Sequence, residues 1–184
     1  MYRSKMMIVM RRDLKMRKGK IAAQAGHACI DAVLMALNKE GRTDEFEMTA
    51  DGLALKNTDK PSSPLSDWFM YGCAKVCVYV DSEEALLGIA KKANERGIIA
   101  SVITDAGMTE FHGVPTKTCL ALEPLPADVA DELTGTLPLY CIFPIRRNPA
   151  CCGTADGRNF SLLFPFLLCI YLFFVFICFL FNHW

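Results

Sequence analysis

Hydrophobic positions along the first 140 residues alternate between two periods, one of strand type and one of helix type. Residues 5–11 (KMMIVMR) and 74–80 (AKVCVYV) are short apolar runs of strand length, with Val76, Val78 and Val80 on one face of the second. After the first strand, small residues (Ala22, Ala23, Ala25, Gly26, Ala28, Cys29, Ala32) crowd a helical stretch and predict a close approach of its backbone to the sheet. After the second, Asp81 and Glu84 form a capping-box-like start, and Leu86, Ile89, Ala90 and Ala93 make an apolar stripe. Gly97 supplies a left-handed stop. Residues 98–104 (IIASVIT) then read as a strand, so this strand–helix–strand unit predicts two parallel strands joined by a right-handed crossover. A further strand at 116–122 and a short helix opened by Pro126 and closed by Gly135 complete a single α/β domain, with helices on a mixed sheet.

Two segments depart from this alternation. Residues 38–68 form a polar stretch of 31 residues containing PSSP, too long for an ordinary connection, and read as an insert that is either a mobile lid or partly helical. Beyond Tyr140 the composition changes: a linker at 141–159 leads into FSLLFPFLLCIYLFFVFICFLF, 22 uncharged residues at 160–181. That length suffices for a bilayer-spanning helix, and Arg146, Arg147 and Arg158 on its N-terminal side would keep the main domain cytoplasmic. The segment is therefore read either as a C-terminal membrane anchor or as a non-native extension of the reading frame.

The formal net charge is zero, but it is unevenly spread. Residues 1–37 hold eight Lys and Arg side chains against two acids, Asp13 and Asp31, which creates a local field attractive to phosphates. Nine cysteines occur without paired CxxC spacing. Cys29, Cys77 and Cys119 sit within apolar runs and read as buried thiols in a reducing compartment, so neither a structural metal nor a disulfide framework is expected.

Two constellations carry candidate chemistry. Lys20, Gln24, His27 and Asp31 recur at spacings of four, three and four, which lines them down one helix face. Such a line is also what an ordinary solvated face produces, but the segment before it, DLKMRKGK at 13–20, places Lys15, Arg17 and Lys18 at a helix N-terminus, where free amides favour anions. The second constellation is DAGMTEFHGVPTKT at 105–118, just past the IIASVIT strand and so where open α/β sheets bind ligands. It offers one carboxylate and the hydroxyls of Thr109 and Thr118; a local turn built on Asp105 is the structural alternative. Gly107 and Gly113 permit tight turns there, and His112 reads as a loop residue rather than a base. No GxSxG elbow or HExxH helix supports a serine-triad or zinc mechanism.

Taken together and in order, KMMIVMRRDLKMRKGKIAAQAGHA, Trp68, Gly72, AKVCVYVDSEEAL, DAGMTEFHGVPTKTCLALEP and GTLPLY resemble the peptidyl-tRNA hydrolases of the second class, across residues 5 to 140. The resemblance implies a three-layer α/β domain with a mixed four-stranded sheet flanked by helices, followed here by the C-terminal hydrophobic helix. It also implies hydrolysis of the ester of peptidyl-tRNA with no cofactor or metal. It assigns the catalytic group to Lys20, Asp105, Thr109 and Thr118, with Gln24 and His27 lining the site. Lys15, Arg17, Lys18 and Lys117 are expected to hold the phosphates of the tRNA partner. Where the family often has Gln after the threonine of the DAGxT motif, this chain has Glu110. A membrane contact through 160–181 and a homodimer complete the expected partners. A non-catalytic tRNA-binding module, or a membrane-tethered interaction protein on the same fold, stands as the alternative; tRNA binding without ester cleavage would select the first.

Overall fold

The computed structural model describes residues 3–50, 52–56 and 60–140. The linker at 141–159 and the hydrophobic segment at 160–181 lie outside the described residues. In chain order the elements are β1 (Ser4–Arg11), α1 (Lys18–Lys39), β2 (Phe46–Thr49), β3 (Gly52–Leu55), α2 (Pro64–Met70) and β4 (Lys75–Val80). They continue with α3 (Glu83–Glu95), β5 (Ala100–Asp105), β6 (Thr116–Leu122), β7 (Leu125–Pro126) and α4 (Ala127–Thr134).

The fold is α/β, with a mixed open sheet flanked by helices. Its main path runs β4-β1-β6-β5, and the two-residue β7 adds to the β1 edge next to β6. β1 lies inside the sheet because its MMIVM run is apolar on both faces, a pattern that requires cover on both sides. Met7 and Val9 pack with Leu86, Ile89 and Ala93 of α3 and Ala130 of α4. Met6, Ile8 and Met10 pack on the opposite face with Ala28 and Ala32 of α1 and Trp68 of α2. β4 pairs with β1 in parallel, whereas β6 is antiparallel to both β1 and β5. β4 and β5 therefore run in the same direction, as the strand–helix–strand pattern predicts, but two strands separate them.

Local departures from expectation have physical reasons. The cap of α3 is Ser82 and not Asp81: its hydroxyl accepts from the Ala85 amide at 3.1 Å, the short side chain reaching the third residue of the helix. Gly97 ends this helix at φ +70°, in the left-handed region. In α1 the buried row is Gln24, Ala28, Ala32 and Ala36, at intervals of four, while Ala22, Ala23 and Gly26 face solvent. Only part of the small-residue cluster thus serves the close approach. By length and composition α1 alone among the described helices could cross a membrane, yet here it packs its alanine row on the sheet.

The 38–68 stretch is not one long loop. α1 extends to Lys39, β2 and β3 form an antiparallel hairpin, and α2 follows. Ser63 caps α2, accepting from the Ser66 amide while the Ser66 hydroxyl accepts from the Ser63 amide, and Pro64 occupies the first helical position. The buried Arg42 guanidinium ties the stretch together by binding Glu40, Glu45 and the carbonyl of Pro61.

Candidate active site

β5 ends at Asp105, and the loop that follows turns back over the N-terminal half of α1, so the two constellations meet. Lys20 Nζ donates to Asp105 Oδ2 at 2.6 Å and to Thr109 Oγ1 at 3.1 Å. One turn along α1, Gln24 Nε2 donates to the same Oδ2 at 2.8 Å. The other carboxylate oxygen, Oδ1, accepts from the Gly107 amide at 2.8 Å. Thr118 Oγ1 donates to Gln24 Oε1 at 2.6 Å, which fixes the amide with its nitrogen toward the carboxylate. Lys20 and Asp105 side chains are each 13% exposed, so their attraction is less screened than on an open surface.

The convergence fixes the electrostatics. The Lys20 ammonium, above all, holds the Asp105 carboxyl below the usual carboxylate range; burial opposes this, and the Gly107 and Gln24 hydrogen bonds reinforce it. Its folded pKa lies below its unfolded value. The stabilisation is therefore complete above about pH 4, the ordinary aspartate value, and is lost as pH falls through the folded pKa. Accordingly, kcat/KM should show no acid limb from Asp105 between about pH 5 and 7. An acid limb near pH 6 that disappears in Asp105→Asn would contradict this.

The loop that carries Thr109 depends on Gly107. At φ +78° it occupies a conformation that L side chains avoid, and a Cβ there would lie 2.4 Å from the Val114 carbonyl oxygen. Its own carbonyl accepts from the amides of Phe111 and Gly113, closing the turn. The sequence reading held a local turn on Asp105 as the structural alternative, and the Gly107 amide bond to Oδ1 is that turn, formed together with the contacts from α1. What it passed over is Phe111, whose ring centroid is 5.6 Å from Lys20 Nζ and which packs against the α1 face of the core. The signal available was an aromatic residue in an otherwise polar loop.

Five predicted residues thus converge: Lys20, Gln24, Asp105, Thr109 and Thr118. They differ in access. Thr109 is exposed, but Thr118 is fully buried and reaches the site only through Gln24. Next to it Cys119 is buried too, its thiol pushed up to about 12 by desolvation, and Cys77 is pushed to about 11 for the same reason. Neither thiol is poised as a nucleophile. Among the described residues no group of three or more His, Cys, Asp or Glu converges as a metal site.

A groove of about 470 Å³ adjoins the pair, lined by Gln24, His27 and Asp31 of α1 and by residues 102–106. His27 is exposed and belongs to this groove rather than to the hydrogen-bonded cluster. The basic residues are dispersed. Arg17 caps α1 and its guanidinium lies 3.4 Å from Glu110, which also accepts from the Arg17 amide at the positive end of the helix. The departure at Glu110 therefore has a local role. Lys15 and Lys18 are exposed nearby in sequence, whereas Lys117 binds Glu83 at 2.9 Å, against an α3 residue.

Residues 4–140 match the model of the family described as peptidyl-tRNA hydrolase PTH2. Relatives include a peptidyl-tRNA hydrolase of Saccharolobus solfataricus, 36% identical over 73% of this chain and 98% of its own length. One from Metallosphaera sedula is also 36% identical, over 73% of this chain and 98% of its own. A probable peptidyl-tRNA hydrolase 2 of Drosophila melanogaster is 37% identical, over 73% of this chain and 61% of its own. The chain belongs to the PTH2 family of peptidyl-tRNA hydrolases.

Proposed function

We propose that this protein hydrolyses the ester that joins a peptide to tRNA, releasing free tRNA, and that the Lys20–Asp105 pair carries the reaction. The supporting observation is that pair, 2.6 Å apart, partly buried, and set beside a groove that can admit an extended substrate. Asp105 orients the attacking water. Its depressed basicity makes it a poor acceptor for a free water proton, so that proton moves to the carboxylate late, as the new O–C bond acidifies it. It is then delivered to the departing ribose oxygen. Lys20 stabilises the negative charge that develops on the carbonyl oxygen, an interaction strengthened by exclusion of water. Thr109 accepts from Lys20 and keeps its own hydroxyl proton for the substrate. Gln24 and Thr118 are positioning residues, and His27 lines the approach.

Lys15, Arg17 and Lys18, at and before the α1 N-terminus, are proposed to hold tRNA phosphates; Lys117 joins them only by releasing Glu83. The full chain should release tRNA from N-acetylaminoacyl-tRNA. With three phosphate contacts, log kcat/KM should fall against log salt with a slope of about −2 to −3. Salt-sensitive tRNA binding without ester cleavage would select the non-catalytic alternative. A polar cluster in which Lys20, Gln24 and the Gly107 amide converge on one carboxylate beside a groove favours the enzyme. The membrane contact through 160–181 lies outside the described residues.

A further inference from the structure

We propose that the outer edge of β5 binds the peptide part of the substrate as an added parallel strand, a reading that rests on the hydrolase function above. Among the described residues β5 ends the sheet, pairing with β6 alone, so one row of its main-chain groups faces away from the sheet. Which groups these are follows from the register. The Glu123 amide donates to the Ile99 carbonyl at 3.0 Å, making that pair a hydrogen-bonded one. Antiparallel pairing alternates, so Ser101 and Ile103 also point at β6 while Val102 points outward. The register then shifts, Ile103 facing Cys119 and Thr104 facing Lys117; because the extra residue, Thr118, lies on β6, the alternation along β5 carries on and Thr104 points outward too. Thr118 Oγ1 lies 3.5 Å from the Ile103 carbonyl, which confirms that this oxygen faces β6. Among the described residues, no side chain or loop amide bonds the main chain of Val102 or Thr104.

The groove runs along that edge. Its lining takes in Val102, Ile103, Thr104, Asp105 and Ala106 without a gap, whereas a pocket on one face of a strand would touch alternate residues. Its reactive end is fixed by Asp105 beside Lys20 and Gln24; its far end lies by Asp31, seven residues on along α1, about 10 Å away at 1.5 Å per residue. The ester carbonyl must sit at the reactive end, and it belongs to the C-terminal residue of the peptide. The peptide therefore runs toward Asp105 in the same direction as β5. At about 3.3 Å per residue, the stretch from Val102 to Asp105 matches about three residues of an extended partner.

Main-chain pairing suits this substrate, because its side chains are arbitrary while its backbone is constant. It also discriminates: a free aminoacyl group has no amide carbonyl upstream of the ester to accept from the edge.

The test measures KM and kcat of the full chain on alanyl series of N-acetylated peptidyl-tRNA with one, two and three residues. A matched three-residue substrate carries an N-methyl group on its upstream amides. With two added hydrogen bonds of ordinary net strength, KM should fall about tenfold from one residue to three, and N-methylation should erase the gain with kcat little changed. Because only the substrate is altered, the result does not depend on a variant folding. Turnover that ignores peptide length, or a length effect that survives N-methylation, would overturn the pairing alone. Absence of hydrolysis for every substrate would overturn the hydrolase function and the pairing with it.

Discussion

Asp105→Asn should lower kcat on the order of a thousandfold, comparable to the loss of a preorganised charge-stabilising group elsewhere. The reason is a count of donors. Lys20 and Gln24 converge on Oδ2 and the Gly107 amide on Oδ1, so the site requires two acceptor oxygens. Asparagine offers one. Whichever way its amide turns, an NH2 group faces either the Gly107 N–H or the Lys20 ammonium and Gln24 amide, and the negative charge that orients water is gone. Single-turnover kinetics on N-acetylaminoacyl-tRNA, with circular dichroism to verify the fold, measures this; a loss of less than tenfold would assign the carboxylate a structural role only.

Gly107→Ala should be the most damaging loop substitution. The new methyl group would meet main-chain atoms of Val114 at 2.4 and 2.7 Å, and backbone cannot swing aside as a side chain can. The loop must shift, taking with it the amide that holds Oδ1 and the Thr109 hydroxyl that accepts from Lys20. Displacement of about 1 Å at a reacting geometry costs about a hundredfold in rate. Left-handed strain adds about 1–2 kcal/mol of destabilisation. Gly113→Ala is the matched control, with φ +79° but open space around its would-be Cβ. It should carry the strain and lower stability by a similar 1–2 kcal/mol while retaining most activity. Equal kinetic losses in both variants would mean that strain, not the clash, controls the site.

The parts of this arrangement that were legible in the sequence are those that local periodicity encodes. Spacings of four, three and four put Lys20, Gln24, His27 and Asp31 on one line of a helix; Gln24, His27 and Asp31 border the groove, and Lys20 bonds Asp105 at its end. The helix limit at Gly97 follows from its left-handed conformation, whereas α4 ends at Gly135 with that glycine in the right-handed region. What was not legible depends on distant pairing. The placement of β1 and β6 between β4 and β5 comes from long-range register, which no local pattern contains. Thr118 shows the limit for single residues: β6 is buried at five successive positions, so period-two alternation cannot tell which hydroxyl meets a substrate. Its contact with Gln24 makes it a support instead. In the 38–68 stretch, Ser63 followed by Pro64 was a readable helix start hidden in a polar run, whereas the hairpin before it lacked a strong alternating pattern.

The depressed carboxyl, the buried threonine and the open strand edge fit one functional design. The buried Gln24 and Thr118 hold the carboxylate from the core side, and Thr109 is exposed. The groove then leads the peptide away from the reacting ester along β5.

A double-mutant cycle tests the Lys20–Asp105 unit most directly, using Lys20→Ala, Asp105→Ala and the pair, with kcat as the readout. Residues that act as one unit lose their joint function when either is removed. The double variant should therefore be no slower, within about threefold, than the slower single variant. Losses that multiply across the two substitutions would show that the ammonium and the carboxylate act independently, and would contradict the account.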